Sequence, residues 1–184
     1  PVDDEIVDRA ERGLRFLVED RRRDAAGLNE VVHPWETGCD DSPRWDHYCP
    51  GDGFDLDRWR AHKGDLLATI ERGRAGEPLT NPGFGAAPVS FSAITAWNIR
   101  ELASVTGGRD LVAAADELAA AVTARWDADL RTWVDAGPGA ATSGRFRTAD
   151  ALTALLVVDD AAQRAAVLDT LADPCLLYTS DAAD

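Results

Sequence analysis

Apolar residues recur at helical spacing along almost the whole chain, and glycine and proline cut the segments that carry this spacing apart. Val2, Ile6, Ala10, Leu14, Leu17 and Val18 form a first stripe that ends near Asp24 to Gly27. Trp59, Leu66, Leu67 and Ile70 mark a second helix from about Asp55 to Arg72, closed by Gly73 and Gly76. Phe91, Ile94, Trp97, Asn98, Leu102 and Val105 make a third, stopped at Gly107-Gly108. Asp110, Leu111, Ala114, Ala115, Leu118, Val122 and Trp126 give a fourth, alanine-rich and able to pack closely. Arg131 to Val134 and Gly144 to Arg147 flank Asp135-Ala136-Gly137-Pro138-Gly139, which predicts a short hairpin or irregular loop. Thr148 or Asp150 can cap a fifth helix through Val158, and Asp159 or Asp160 a sixth through Leu171. The chain therefore reads as all-α, with about three helical hairpins, and spacing alone leaves a solenoid and a closed toroid both open. Trp59, Trp97 and Trp126 fall on the stripes and are expected in the core, His62 on the surface.

One stretch does not fit this pattern. His33-Pro34-Trp35-Glu36-Thr37-Gly38-Cys39-Asp40-Asp41-Ser42-Pro43-Arg44-Trp45-Asp46 holds two prolines, a glycine and paired aspartates, so it must be a shaped loop. Such loops usually serve a site. Indole faces stack on the apolar faces of pyranose rings, while Glu36, Asp40 and Arg44 exchange hydrogen bonds with hydroxyl groups. A phosphate site would instead want glycines and lysine.

The formal charge of −14 disfavours nucleic acid and anionic membrane and suits a neutral small-molecule carbohydrate. Lys63 is the chain's single lysine, which matches the coding bias of a GC-rich genome and carries no mechanism at this level. No apolar run is long enough to span a bilayer. Cys39 and Cys49 form no dense framework, although they could pair, so a cytoplasmic setting is expected. His33, Cys39, His47 and Cys49 lack the close ligand pair of a zinc site, so neither a metal nor another cofactor is expected. Cys175 to Asp184 resembles a translated sequencing adapter, and the chain has no methionine; the expectation is an internal fragment whose authentic part is residues 1–174.

Glu36-Thr37-Gly38-Cys39-Asp40-Asp41-Ser42-Pro43-Arg44-Trp45-Asp46 resembles the Glu-Ser-Gly-x-Asp-x-Ser-x-Arg-Trp signature of trehalases and of glycoside hydrolase family 63. The match is closest to the mannosylglycerate and glucosylglycerate hydrolase-like members, which carry His-Pro-Trp before it and Pro-Arg-Trp-Asp within it. The stretch from Trp126-Asp127 to Trp133 and the run Arg147-Thr148-Ala149-Asp150 also resemble that family. The resemblance implies a partial (α/α)6 barrel, a six-hairpin toroid about half of which is present. It implies hydrolysis of an α-glycosidic bond with inversion, with Asp40 as the general acid. The base would be a glutamate on a later barrel loop, so the fragment alone should be inactive. Thr37 replaces the usual serine, and Val89-Ser90-Phe91-Ser92 stands where trehalases carry Val-Asp-Leu-Asn, which points away from trehalase itself.

A general acid must hold its proton, and Asp41 and Glu36 as neighbours, with Trp35 and Trp45 as an apolar wall, would raise the pKa of Asp40. Trp35, Glu36, Arg44 and Trp45 are the candidate substrate-binding residues; Glu36 and Arg44 would meet hydroxyls or orient Asp40, and the indoles would stack. Each has a structural alternative: Arg44 as a clamp on a barrel carboxylate, Trp45 packed beneath the loop, and Asp41 as a cap of the next turn. A noncatalytic helical-repeat module that binds a sugar or protein would account for the hairpins but not for the hydrolase spacing of Glu36, Asp40, Arg44 and Trp45.

Overall fold

The computed structural model describes residues 3–137 and 145–172. The segment Cys175 to Asp184, with its suspected foreign origin, lies outside the described residues, as does Gly144 of the predicted hairpin. Among the described residues, five α-helices form where the apolar stripes stand: α1 (Asp4–Glu19), α2 (Leu56–Leu66), α3 (Val89–Thr106), α4 (Val112–Thr123) and α5 (Ala161–Leu171). Aspartates start three of them. Asp3 accepts from the Glu5 amide, Asp55 from that of Arg58, and Asp160 from those of Ala162 and Gln163, each satisfying donors that no helix turn can reach. At the other end of α3, Gly107 takes φ 76°, a left-handed conformation that costs glycine little and stops the helix.

Helix α3 is the hub. Its buried Val89, Ala93, Ala96 and Ile99 pack with Ala115, Leu118, Ala119 and Val122 of α4 and with Ala151 and Ala154 of a 3-10 helix, Asp150–Leu156. The alanines at this seam let the helix axes approach closely. Helix α1 buries no residue completely and lays Leu14 and Val18 on this core. A second, smaller core of Val31, Trp45, Cys49, Trp59, Leu66, Phe84 and Ala86 lies under the loop that interrupts the helical pattern.

Several expectations are corrected here. The second helix stops at Leu66 and runs through a 3-10 turn, Leu67–Thr69, into a small antiparallel hairpin, β1 (Glu71–Arg72) with β2 (Pro78–Thr80). The fourth helix ends before Trp126, because Trp126–Asp127 (β3) pairs with Thr132–Trp133 (β4). The fifth helix is a 3-10 helix. Trp59 is fully buried as expected, but Trp97 is 37% exposed on the outer side of α3 and His62 is half-buried beside Trp59. Two indoles, Trp126 and Trp133, meet edge-on at 5.2 Å and close the β3–β4 hairpin over the core.

Leu118→Ala, which empties a fully buried position between α3 and α4, should destabilise the fold by about 2–5 kcal/mol. Glu101→Ala, on the exposed side of α3, should change stability by less than about 0.5 kcal/mol. Urea unfolding of both variants checks the contrast.

Candidate active site

The proline- and glycine-broken segment folds as two 3-10 helices, Pro34–Thr37 and Pro43–Tyr48, joined by a tight connection. Pro34 and Pro43 supply the fixed φ of a first helical position, and Gly38 at φ 67° turns the chain out of the first helix. Asp40 and Asp41 sit at the apex between them. The backbone there is held from below: the Trp45 indole donates to the Cys39 carbonyl at 2.8 Å and the Trp59 indole to the Asp40 carbonyl at 2.9 Å.

Arg44 anchors the loop to the main core. Its buried guanidinium donates to Asp135 at 3.0 Å and, through both terminal nitrogens, to Asp150 at 2.9 and 3.3 Å. Asp135 uses its other oxygen on the Val89 amide, the first of α3, and Asp150 accepts from the Ser90 hydroxyl at 2.7 Å. Burial pushes the Asp135 carboxyl up, against the Arg44 charge. At Asp150 burial acts in the same sense, but Arg44 and hydrogen bonds from Ser90 and Thr148 overcome it and hold that carboxyl below its ordinary value. The face of the Trp45 ring lies 4.4 Å from the guanidinium carbon. Of the two readings open for Arg44, the geometry gives the clamp.

Glu36 is similarly occupied. It pairs with both terminal nitrogens of the buried Arg21 at 2.8 and 2.9 Å and accepts from the Val32 amide at 2.7 Å, tying the loop to the chain that follows α1. Trp45 is 3% exposed and packs beneath the loop against Phe84. Trp35 alone of the four expected binding side chains stands open, 54% exposed, with its ring 4.4 Å from that of His33.

The environment of Asp40 differs from the expectation in one decisive respect. Lys63 of α2, 4% exposed, places its ammonium 2.6 Å from Asp40 Oδ2 and 2.7 Å from Asp41 Oδ1. The hydrogen bond from Lys63 lowers the Asp40 pKa and outweighs the desolvation that opposes it. Neither Glu36 nor Trp45 acts on Asp40 as the raised-pKa reading required, because Arg21 neutralises the first and the second lies in the core. Asp41 does not cap the following turn, since its carboxylate is spent on Lys63. For Lys63 burial lowers the pKa, but the two carboxylates more than reverse this and raise it, so the ammonium stays charged. His33 donates from Nε2 to the Lys63 carbonyl at 2.8 Å while its Nδ1 accepts from the Trp35 amide, which fixes one neutral tautomer.

Above the loop lies a cleft of about 530 Å³, bounded by residues 38–44 on one side and Phe146 to Asp150 on the other. That size falls within the range of small-ligand sites. Cys39 lines it, its thiol pushed up by burial and by the charge of Asp150. Cys39 and Cys49 are both free, and among the described residues no cluster of His, Cys, Asp or Glu is arranged to hold a metal. Among the same residues no helix is long and apolar enough to cross a membrane.

Sequence reasoning missed Lys63, Asp135 and Arg21. The single lysine was a visible signal, but its place beside Asp40 depends on α2 folding back beneath the loop. Asp135 and Arg21 carried none.

Three solved structures share the helical fold. The GH63 mannosylglycerate hydrolase from Thermus thermophilus in complex with glucose is similar over 92% of this chain and 46% of that one, at 21% identity and TM-score 0.61. The same enzyme in complex with Tris and D-glycerate is similar over 92% and 49%, at 18% identity and TM-score 0.61. An uncharacterized conserved protein from Thermus thermophilus is similar over 92% and 49%, at 18% identity and TM-score 0.62. The chain thus spans a little under half the length of these structures. No curated protein sequence gives a significant match. The family model described as the mannosylglycerate hydrolase MGH1-like glycoside hydrolase domain matches residues 4–180, and the chain belongs to that family.

Arg44→Met should cost about 3–5 kcal/mol, because it leaves Asp135 and Asp150 buried together without their cation. Arg44→Lys should recover only part of this, since one ammonium cannot reproduce the paired bonds that both terminal nitrogens make to Asp150. Denaturant titrations of the three proteins test the order.

Proposed function

We propose that this chain supplies the acid side of a glycoside hydrolase site that cleaves an α-glycosidic bond of a small glucoside or mannoside with inversion. The observation that carries the reading is Asp40 at the mouth of the cleft: the backbone carbonyls of residues 39 and 40 are pinned by two indoles, and its carboxylate stands at the apex of a loop whose Glu36 and Arg44 are bound internally. Lys63 favours the ionised form of Asp40 in this chain, so the acid role requires the bound sugar to bring the carboxyl into its protonated form; it then gives that proton to the departing glycosidic oxygen as the bond to the anomeric carbon breaks, and it ends as a carboxylate. A water on the opposite face of the ring adds to that carbon and loses a proton to a second carboxylate, about 6.5–9.5 Å away in inverting enzymes. Asp41 does not suit that second role, because it shares Lys63 with Asp40 on the same side of the cleft.

The base is accordingly assigned to the part of the family fold that this chain does not span. Trp35, exposed at the rim, offers a ring face for stacking on the sugar. Glu36, Arg44 and Trp45 serve the site by building the loop. Among the ligands named with the Thermus enzyme, glucose and D-glycerate suggest a sugar joined to a small acid as the substrate class.

In the complete enzyme, Asp40→Asn should lower kcat by about 10²–10⁴-fold with the fold intact, and Trp35→Ala should raise KM more than it lowers kcat. Release of glucose or mannose from glucosylglycerate, mannosylglycerate, trehalose and simple α-glucosides measures both. An Asp40→Asn enzyme that keeps its rate would sink the assignment. The 184-residue chain alone should release no sugar, and turnover by it would place the base within these residues.

A further inference from the structure

We propose that Lys63 is the positioning residue of this site: it holds Asp40 through Oδ2, sets how strongly that carboxyl binds its proton, and uses Asp41 as its standing counter-ion. The inference rests on the assignment of Asp40 as acid. Its basis is geometric. One ammonium lies within 2.7 Å of two carboxylates, with its side chain 5% exposed and its nitrogen 5.7 Å from the centre of the Trp59 ring.

Composition supports the geometry independently. Every other fixed cation of the chain is an arginine, and the single lysine is the one buried between these two aspartates. A compact ammonium donates to two carboxylates from a single nitrogen, as it does here to Asp40 and Asp41. The position is itself held, by the His33 ring on the Lys63 carbonyl and by Trp59 beneath.

The three groups carry one negative charge when both aspartates are ionised and none when Asp40 holds a proton. Asp41 keeps Lys63 paired in both states, so Asp40 can gain and lose its proton without leaving a buried, unpaired ammonium. When Asp40 transfers its proton, the charge that develops on Oδ2 already faces a cation, so no group needs to move to meet it. The opposing charges at the cleft are few. The Cys39 thiol is pushed up by burial, Asp150 shares Arg44 with Asp135, and Arg147 is a cation on the far wall whose guanidinium donates to the Leu130 carbonyl.

The test is the titration of the Asp40 carboxyl, followed by carbon NMR in the labelled 184-residue chain, with Asp40→Asn identifying the signal. Lys63→Met should move the midpoint up, because a cation is lost and Asp41 remains. Asp41→Asn should move it down, because a like charge is lost and Lys63 turns wholly to Asp40. Lys63→Arg should return it toward the parent value. In the complete enzyme the alkaline limb of kcat/KM, where the acid loses its proton, should follow the same order. A merely structural lysine would lower the rate at all pH values and leave the limb in place. An unchanged midpoint in Lys63→Met, or a rise in Asp41→Asn, overturns the proposal. If Lys63→Met does not fold, Asp41→Asn carries the test alone, since Asp41 is half exposed. Midpoints that move as stated while Asp40→Asn stays active would uphold the charge triad and overturn the catalytic assignment on which its role rests.

Discussion

One buried cation, Arg44, determines whether the loop and the helical core are a single object. A guanidinium removed from water needs its charge met, and here two aspartates from separate parts of the chain meet it through its two terminal nitrogens. Those aspartates are also bound to the start of α3, one through the Val89 amide and the other through the Ser90 hydroxyl. Pro88 precedes the helix and offers no side-chain cap, so the amide of Val89 is satisfied by a residue 46 positions away. The first turn of the central helix and the apex of the loop are therefore stabilised by the same charges.

A second tie works at the opposite side of the loop. The Arg21 and Glu36 pair fixes the first 3-10 helix to the end of α1, and the Val31 amide joins the same segment to the Ala86 carbonyl ahead of α3. With Trp45 and Trp59 holding the carbonyls of residues 39 and 40, the backbone at Asp40 is restrained from three directions. Its carboxylate is then met by Lys63 from α2 and by the Trp35 side chain.

Much of this is legible in the sequence. Helices α1, α3, α4 and α5 form on the stripes that mark them, because a stripe several turns long repeats its signal at every turn, although α1 stops at Glu19, short of Asp24 to Gly27, and α4 at Thr123, short of Trp126. The two hairpins are not legible, since strands of two or three residues are too short to show alternation, and Trp126 satisfies the helical stripe as well as it satisfies a strand. The loop is recognisable by composition and spacing, but the direction of the Asp40 shift is not. That sign depends on Lys63, 23 residues away, reaching the loop only because Trp59 and Leu66 of the same helix enter the smaller core.

The site also separates two meanings of a spaced signature. Glu36, Arg44 and Trp45 read as hydroxyl-binding chemistry in one dimension, yet in three dimensions each is consumed in building the loop. A loop with two prolines and a left-handed glycine has little regular hydrogen bonding of its own, so side chains must supply what a helix or sheet would supply through backbone. The spacing is then dictated by where Arg21, Asp135, Asp150 and the Phe84 ring wait for it. The same clamp also governs the cleft, because Asp150 ends its far wall and Arg44 ends its near one. The two walls of the cleft beside Asp40 are thus joined by an ion pair.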